Sequence, residues 1–543
     1  MNKHTVTPVS LALLAAFSLA GCAVGPKYDV PATPHTAAFK EADGWAPAAP
    51  ADTLERGPWW TLFGDPVLND LAASIEVSNQ NVAAAAASYA QARALVAEQR
   101  AQLFPAVDLN GSANRSGGGG GTRTASAYRV NLGGSWEPDI WGRLGAASAG
   151  ANASAAASAA DLAAARLSAQ GELAANYFAL RQADAQQALL DATVQGYERV
   201  LQITRNRFSA AIAAKSDVLQ AETQLANARI DLIGIVRQRA QLEHAIAVLL
   251  GKAPAEFTLA PLPQAASLAQ PSSAAGAGAQ PGAARAAAAR AAAQPAGAEA
   301  GATQPAAAAA GPQPDGSGRM VMAPPLMVAS PAGAEPAAWG GAVVPAIPAV
   351  VPSALLQRRP DIAAAERRVA AANEQIGIAR AAYFPNLNLS ASYGFGASAA
   401  SGLFNASNSL WSLGLSAAQT IFDAGATRAR VAGAEASRDA AIARYRQTVL
   451  AAFADVEDQL AASRALEQQQ AHRRTAAAAA DQVEQQMLNR YRAGQVAYTE
   501  VVQAQVTALS ARRALLQAQA DRQTTAVALI QSLGGGWHAG AGP

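Results

Sequence analysis

Cysteine is almost absent from this chain, which has one, Cys22, in 543 residues. A single cysteine cannot form a disulfide within the chain, so its position is the informative fact. Histidine is also scarce, with five scattered residues, and charged residues make up 15% of the sequence. This composition argues against a metal enzyme, and a formal net charge of +2 indicates no nucleic-acid partner. We therefore expect no catalysis, no metal site and no bound cofactor.

Long apolar runs are missing as well. The run VSLALLAAFSLA near the N-terminus follows Lys3 and is too short to span a bilayer, so residues 1–21 are predicted to be a signal peptide. It ends in LAGC, a lipobox, which predicts a covalent lipid such as palmitate on Cys22. The alternative is a chance cysteine behind an ordinary signal peptide. Ala23, rather than an aspartate, follows Cys22 and favours transfer of a lipoprotein to the outer membrane of a Gram-negative bacterium.

No other apolar run reaches the length of a transmembrane helix, so any crossing must use strands. Long helical patterns instead alternate with short strand-like segments. After an extended segment over 22–57, we predict a first repeat over 58–261 and a second over 346–537, before a tail at 538–543. The first repeat contains one helix over 58–104, strands within 107–136 and helices over 142–208 and 216–250. The second contains a helix over 353–383, strands within 386–420 and helices over 424–491 and 499–533.

The two repeats are related by an internal duplication. LFPAVDLNGSA at 103 matches YFPNLNLSASY at 383, and NRFSAAIAAKSDVLQAE at 206 matches NRYRAGQVAYTEVVQAQ at 489. A third pair, NLGGSWEPDIWGR and SLGLSAAQTIFDA, has a similar offset, so the spacing stays between 280 and 283 residues. Between the repeats, residues 262–345 are rich in Ala, Pro and Gly and are predicted to be a disordered insertion.

The predicted strands alternate between apolar and polar residues. Leu387, Leu389 and Tyr393, for example, oppose Asn386 and Asn388. A soluble sheet that is half buried on a core would show the same alternation. However, strands of about ten residues with aromatic side chains near their ends fit a membrane barrel, which needs about eight strands or more. Four strands in one chain are too few, so several copies must close one barrel, and three copies would supply about twelve strands.

Pro105 and Pro385 mark the two places where a helix passes directly into a strand. Helices that continue from barrel strands would extend the barrel lumen as a tunnel. The alternative is a coiled coil that only holds subunits together, because the last helix carries an apolar heptad seam. This seam contains Val502, Val506, Leu509, Leu516, Ala520, Val527 and Ile530.

These features resemble the outer membrane factor family, the TolC-like channels of tripartite efflux systems, and especially its lipoprotein branch. The likeness rests on LAGCAVGPKY, PWWTLFGDPVLNDL, the two FP strand entries, QRRPDIAAAERRVAAANEQIGIARAAYFP and LGGGW. It implies a mostly α-helical homotrimer, with a twelve-stranded β-barrel in the outer membrane that continues into a periplasmic α-helical barrel. It also implies docking to a periplasmic adaptor protein and to an inner-membrane, proton-driven resistance-nodulation-division pump.

The resemblance also assigns roles to two turns between paired helices. In the family these turns form the periplasmic tip where adaptor hairpins dock. Ala211 stands where glycine is usual, so its backbone geometry is of interest. The corresponding residues here are Ala211, Ile212, Ala213, Gly494, Gln495 and Val496.

Just inside the tip, the family has a constriction lined by acids in a D-x-x-D pattern. The sequence here reads EVVQ, so Glu500 keeps the first carboxylate and Gln503 replaces the second. Asp217 matches another constriction acid, and Tyr491 matches a gate-region tyrosine. Acids in the first turn of a helix are also favoured by the helix dipole, so gating and capping are both open for Asp217 and Glu500. Loss of one acid weakens the expectation of strong cation selectivity.

The resulting hypothesis is a passive exit duct for small molecules, such as antibiotics, whose cargo is chosen by the pump and adaptor. One alternative is an outer membrane duct for an ATP-driven type I secretion system. A less favoured alternative is a coiled-coil outer membrane lipoprotein that does not conduct.

Overall fold

The computed structural model describes residues 24–33, 39–41, 58–117, 125–261, 344–345 and 359–535. The predicted signal peptide, Cys22, nearly all of the 262–345 insertion, residues 353–358 and the C-terminal tail lie outside these residues. Within the described residues, no helix has both the length and the apolar character needed to cross a membrane.

The first helical region is interrupted, so the prediction of one helix over 58–104 is wrong. A short 3₁₀ turn at Trp59–Phe63 is followed by helix α1, Pro66–Ser78, and helix α2, Gln80–Ala101. The break occurs at Asn79, whose extended backbone ends α1. The Asn79 side chain accepts hydrogen bonds from the amides of Asn81 and Val82, each at 3.0 Å, and so caps α2.

Two long helix pairs follow the strands of each repeat. The first pair is α3, Arg143–Ser209, and α4, Lys215–Leu249. Helix α5, Pro360–Ala381, precedes the second pair, which is α6, Ala426–Arg492, and α7, Tyr498–Ser532. Helices α3 and α6 each have 67 residues, and α4 and α7 each have 35, so the two pairs are equal in length.

Helix α5 begins later than the sequence pattern predicts. Arg359 has an extended backbone, and the first helical residue is Pro360, so a continuous helix from Ser353 is wrong. The reason is steric: the proline ring disfavours a helical conformation in the preceding residue, whereas proline itself suits the first helical position.

Four antiparallel strands form one sheet in the order β1-β2-β3-β4. They are β1, Ala106–Ser116; β2, Ala125–Trp136; β3, Asn386–Ala397; and β4, Ser409–Ala418. The register places Leu109, Leu132, Tyr393 and Trp411 in one row across all four strands. The exposed fraction of these side chains lies between 51% and 78%, so the row forms an uncovered apolar face on the single chain.

The opposite face of the sheet is polar. Its neighbouring row contains Asp108, Gly133, Ser392 and Ser412. The hydroxyl oxygens of Ser392 and Ser412 are 2.8 Å apart, within hydrogen-bond distance. The sheet thus has one apolar and one polar face, as the alternating sequence predicts.

The predicted heptad seam of α7 is buried near its C-terminus and only partly buried near its N-terminus, where Val502 and Leu509 pack against buried clusters. Val527 and Ile530 are buried, whereas Val506 is 44% exposed. Near its start α7 instead buries Val501, Ala504 and Ala508.

The N-terminal segment lies along α5 and α6. The Val24 amide donates to the Trp141 carbonyl at 3.4 Å. Farther along, the side-chain amide of Asn373 donates to the Pro26 carbonyl at 2.9 Å, and the Arg446 guanidinium donates to the carbonyl of Ala32 at 3.2 Å.

Candidate functional site

Two turns, one between α3 and α4 and one between α6 and α7, have the same backbone structure. The Ile212 amide donates to the Arg207 carbonyl at 2.8 Å, and the Gln495 amide donates to the Arg490 carbonyl at 2.9 Å. Each turn contains one left-handed residue, Ala211 with a φ of 58° or Gly494 with a φ of 72°. The predicted docking residues Ala211, Ile212, Ala213, Gly494, Gln495 and Val496 all lie in these two turns.

A cluster of aromatic residues joins the turn end of the first helix pair to that of the second. Tyr491, in the last turn of α6, is 3% exposed, and its ring centroid is 5.4 Å from that of Tyr498 at the start of α7. Tyr197 of α3 and Val501 of α7 belong to the same buried cluster. Arg207 packs against this cluster, because its guanidinium carbon lies 4.6 Å from the centre of the Tyr491 ring.

Burial in this cluster favours the neutral form of the Tyr197 and Tyr498 phenols. Burial is the main reason that the pKa of Tyr498 lies well above its usual range, and the nearby Tyr491, Tyr197 and Asp217 add to this effect. Burial also raises the pKa of Tyr197 to about 12; the Glu484 carboxylate adds to the shift, and Arg512 opposes it. Because these two phenols are neutral, the charged groups near the turns are the surrounding carboxylates and guanidinium groups.

The predicted constriction residues do not all meet in the single chain. Asp217 and Glu500 lie in the first turns of α4 and α7, respectively. Asp217 is half-buried and close to Tyr498, whereas Glu500 and Gln503 are exposed. Tyr491 lies in the buried cluster. Gating and favourable placement near a helix N-terminus are both compatible with these positions.

Of the residues described in this cluster, sequence reasoning named only Tyr491; it missed Arg207 and Tyr498, which contact the Tyr491 ring, as well as Tyr197 and Val501. Arg207 belongs to the repeated motif NR followed by an aromatic residue, at 206–208 and 489–491. An arginine retained in both copies of a turn motif is the signal that could have drawn attention to it. Tyr498 has no such signal, because its counterpart in the first repeat is Lys215.

A tryptophan side chain forms a hydrogen bond to the backbone at each of the two predicted helix-to-strand junctions. Pro105 and Pro385 each lie between the end of a helix and the first residue of a strand. The Trp136 indole donates to the Leu103 carbonyl at 3.0 Å, and the Trp141 indole donates to the Pro385 carbonyl at 2.8 Å. The Trp141 ring also stacks on Phe384. No cluster of possible metal ligands occurs among the residues that the structure describes.

Comparison with known proteins identifies the family. The sequence matches the model of the outer membrane efflux protein family over residues 71–252 and 351–535, more than half of the chain. The chain belongs to the outer membrane efflux protein family. It is thus an outer membrane component of an efflux system, and its fold is that of the TolC-like channels.

Individual relatives align over nearly the whole chain. The probable efflux pump outer membrane protein TtgC of Pseudomonas putida is 28% identical, with 98% of this chain and 96% of that protein covered. The outer membrane protein OprJ of Pseudomonas aeruginosa is 27% identical over 97% of this chain and 96% of that protein. The solved structure of the outer-membrane channel OprN is 28% identical with a TM-score of 0.74, over 95% of this chain and all of that one.

Proposed function

We propose that three copies of this chain form a passive exit duct that receives small molecules from a periplasmic adaptor and an inner-membrane, proton-driven pump. The observation that carries this proposal is the sheet. Its apolar face is uncovered, and β1 and β4 each have one edge without a partner strand among the described residues. Unpaired edges are not tolerated in lipid, so β4 of one copy would pair with β1 of the next to close a twelve-stranded barrel.

A lipid on Cys22 would anchor the duct at the junction between sheet and helices. Val24, two residues later, contacts Trp141, which in turn contacts Pro385 at the start of β3. Val24 therefore lies where the helices meet the sheet, and an acyl chain on Cys22, two residues earlier in the sequence, would be able to enter the membrane near that point. A single acyl chain gives only marginal membrane binding, and the barrel would supply further attachment.

The turn ends of the helix pairs would form both the gate and the adaptor-docking surface. The residues of the two turns are mostly exposed, and Ile212 presents an apolar side chain to solvent. Asp217 and Glu500 lie one turn of helix behind them, with Gln503 one turn farther along α7. Opening would require the helix pairs to separate at this end. No covalent step is needed, so the chain would act without catalysis and without a cofactor.

Planar-bilayer conductance of the purified, lipidated protein tests this proposal, with its mass measured first by light scattering. We expect a trimer and conductance steps of a fixed size that are absent from mock preparations. Replacement of Asp217 and Glu500 with alanine should increase conductance, because the constriction loses its carboxylates. Asp161→Ala is the control: it removes a partly exposed acid of α3 that pairs with Arg368 of α5, far from the turns, and should conduct like the unaltered protein.

Two negative outcomes of the conductance measurement would contradict different parts of the proposal. A trimer that stays silent even after Asp217 and Glu500 are replaced would contradict the exit duct. A conducting trimer whose conductance is unchanged by these replacements would contradict only their role in the gate.

A further inference from the structure

Each repeat enters and leaves the sheet in the same way. Ala106, the first residue of β1, pairs with Ser135 of β2, and Asn386, the first residue of β3, pairs with Ala418 of β4. The two strand entries are therefore 280 positions apart in the sequence, and the two strand exits are 283 positions apart. These offsets identify the counterpart of each residue that lies next to the sheet.

Side-chain contacts at the strand exits support this equivalence. The Trp136 indole donates to the Leu103 carbonyl at 3.0 Å, and the side-chain amide of its counterpart Gln419 donates to the Tyr383 carbonyl at 3.2 Å. In each repeat, the residue at the strand exit thus bonds to the backbone just before the strand entry. The two junctions between helices and sheet are built alike.

Within the chain, an aromatic side chain also joins the exit of the first repeat to the entry of the second. The ring of Trp141, which follows β2, stacks on Phe384 with the ring centroids 4.7 Å apart. The Trp141 indole also donates to the Pro385 carbonyl at 2.8 Å. Both rings are partly buried, so this contact covers the entry of the second repeat.

The entry of the first repeat lacks this cover in the single chain. Phe104, the counterpart of Phe384, is 70% exposed. The exit of the second repeat carries an apolar pair, Ile421 and Phe422, and the Phe422 side chain is 86% exposed. The single chain therefore leaves one aromatic side chain exposed at its first strand entry and another at its last strand exit.

The sequence at the second exit repeats the pattern at the first. The pair IW at 140–141 precedes α3, and the pair IF at 421–422 precedes α6. Two extra residues, Asp423 and Ala424, separate IF from the glycine that precedes α6, and Ala424 adopts a left-handed conformation with a φ of 54°. Both repeats thus have an aromatic side chain at the exit, and in the second it lies nearer to the strand.

A ring of identical copies would bring the two exposed groups together. The inference rests on the proposed trimer, in which β4 of one copy pairs with β1 of the next. The exit of the second repeat then lies beside the entry of the next copy's first repeat. Within one chain, the exit of the first repeat lies beside the entry of the second in the same manner, so the ring repeats one kind of junction six times.

We propose that Phe422 of one copy packs on Phe104 of the next copy and so fastens neighbouring copies where the sheet passes into the helices. The contact removes apolar surface of both copies from water, and Ile421 lies beside it in the sequence. Paired aromatic rings add a preference for offset-stacked or edge-to-face geometry.

The contact differs in one respect from its counterpart within the chain. Trp141 donates a hydrogen bond to the Pro385 carbonyl, whereas phenylalanine has no N–H to donate. The joint within a copy is therefore stacked and hydrogen-bonded, and the joint between copies is apolar.

Disulfide cross-linking tests which group meets Phe422. The double variant Phe104→Cys with Phe422→Cys should form oxidant-dependent dimers and trimers on a denaturing gel, which a reductant reverses. Each single variant controls for cross-links to Cys22 and should remain monomeric on the gel. The matched pair Trp141→Cys with Phe384→Cys probes the equivalent joint within the chain and should lose both free thiols without any increase in mass.

A double-mutant cycle separates contact with a neighbouring copy from contact with lipid. Phe104→Ala and Phe422→Ala should each lower the temperature at which the trimer dissociates. The double variant should dissociate at nearly the same temperature as the weaker single variant, because both changes remove one contact. Phe404→Ala removes an equally exposed ring at the other end of the sheet, so its effect should simply add to that of Phe104→Ala.

Rings that face lipid would instead give additive losses and no cross-links between copies. Either result in a stable trimer would overturn the aromatic contact and leave the exit duct intact. A protein that is monomeric by light scattering would overturn both proposals.

Discussion

Arg207 bridges the two repeats at their turn ends: its guanidinium lies over the Tyr491 ring and donates to the Tyr491 carbonyl. Arg207→Ala should therefore loosen the closed tip and increase bilayer conductance. Loss of a cation–π contact of about 1–2 kcal/mol corresponds to a roughly five- to thirtyfold change in the ratio of closed to open states.

Two variants serve as controls for Arg207. Tyr491→Phe keeps the ring that Arg207 contacts and removes only a buried hydroxyl that makes no hydrogen bond, so it should change conductance far less than Arg207→Ala does. Arg205→Ala removes a neighbouring arginine that instead pairs with Glu222, and it too should have little effect. Equal effects of Arg205→Ala and Arg207→Ala would count against the bridge.

Ala211 occupies a left-handed conformation that costs a residue with a Cβ atom about 1–2 kcal/mol. Ala211→Gly should relieve this strain and stabilise the protein by about 1 kcal/mol, after the added freedom of the unfolded chain is subtracted. Thermal unfolding of the detergent-solubilised protein provides the measurement. Gly494→Ala is the matched reverse change at the equivalent turn and should destabilise by a similar amount. Destabilisation by Ala211→Gly would show that the turn is not strained.

Stability should fall in alkaline solution because buried tyrosines stay neutral in the folded protein. The pKa of Tyr197 is raised to about 12, whereas a tyrosine in an unfolded chain ionises near pH 10. Between these values the unfolded chain binds fewer protons than the folded one, so the free energy of unfolding decreases as pH rises.

Chemical unfolding followed by circular dichroism from about pH 8 to about pH 11 measures this effect. Tyr197→Phe should reduce the slope by up to about 1.4 kcal/mol per pH unit, the contribution of one proton. Tyr383→Phe, at a half-exposed side chain, is the control. An identical slope in the unaltered protein and in Tyr197→Phe would refute the assignment.

The two faces of β1 should respond differently to a charge. Leu109 belongs to the apolar row and is 74% exposed, so lipid would cover it in the proposed barrel. Leu109→Arg should cost about 2–4 kcal/mol near the middle of the membrane and reduce the amount of trimer in outer membranes. Asn110→Arg, one residue along on the opposite face, should be tolerated. Equal losses from both variants would argue against lipid on the apolar face.

The alternating strands and the duplication were readable because both depend on local pattern. The alternation of Leu387 and Leu389 with polar residues indicates which face of the strand is apolar. The repeated Phe-Pro pairs predict where β1 and β3 begin. Local side-chain competition was harder to predict. Asn79 divides α1 from α2 by bonding to two amides, although an asparagine within a helical pattern does not by itself require a break.

The residues near the constriction show which parts of the site could not be predicted from the sequence. Asp217, Glu500 and Tyr491 could be named from the family motif, but Arg207 and Tyr498 emerged from the packing of α3 against α6 and α7. The sequence by itself determined the two equal repeats, the two-faced sheet and the turns, because each follows from the order of residues along a short segment. Tertiary structure alone decided which side chains of one repeat meet those of the other, because these contacts join residues about 280 positions apart and depend on how the long helices pack.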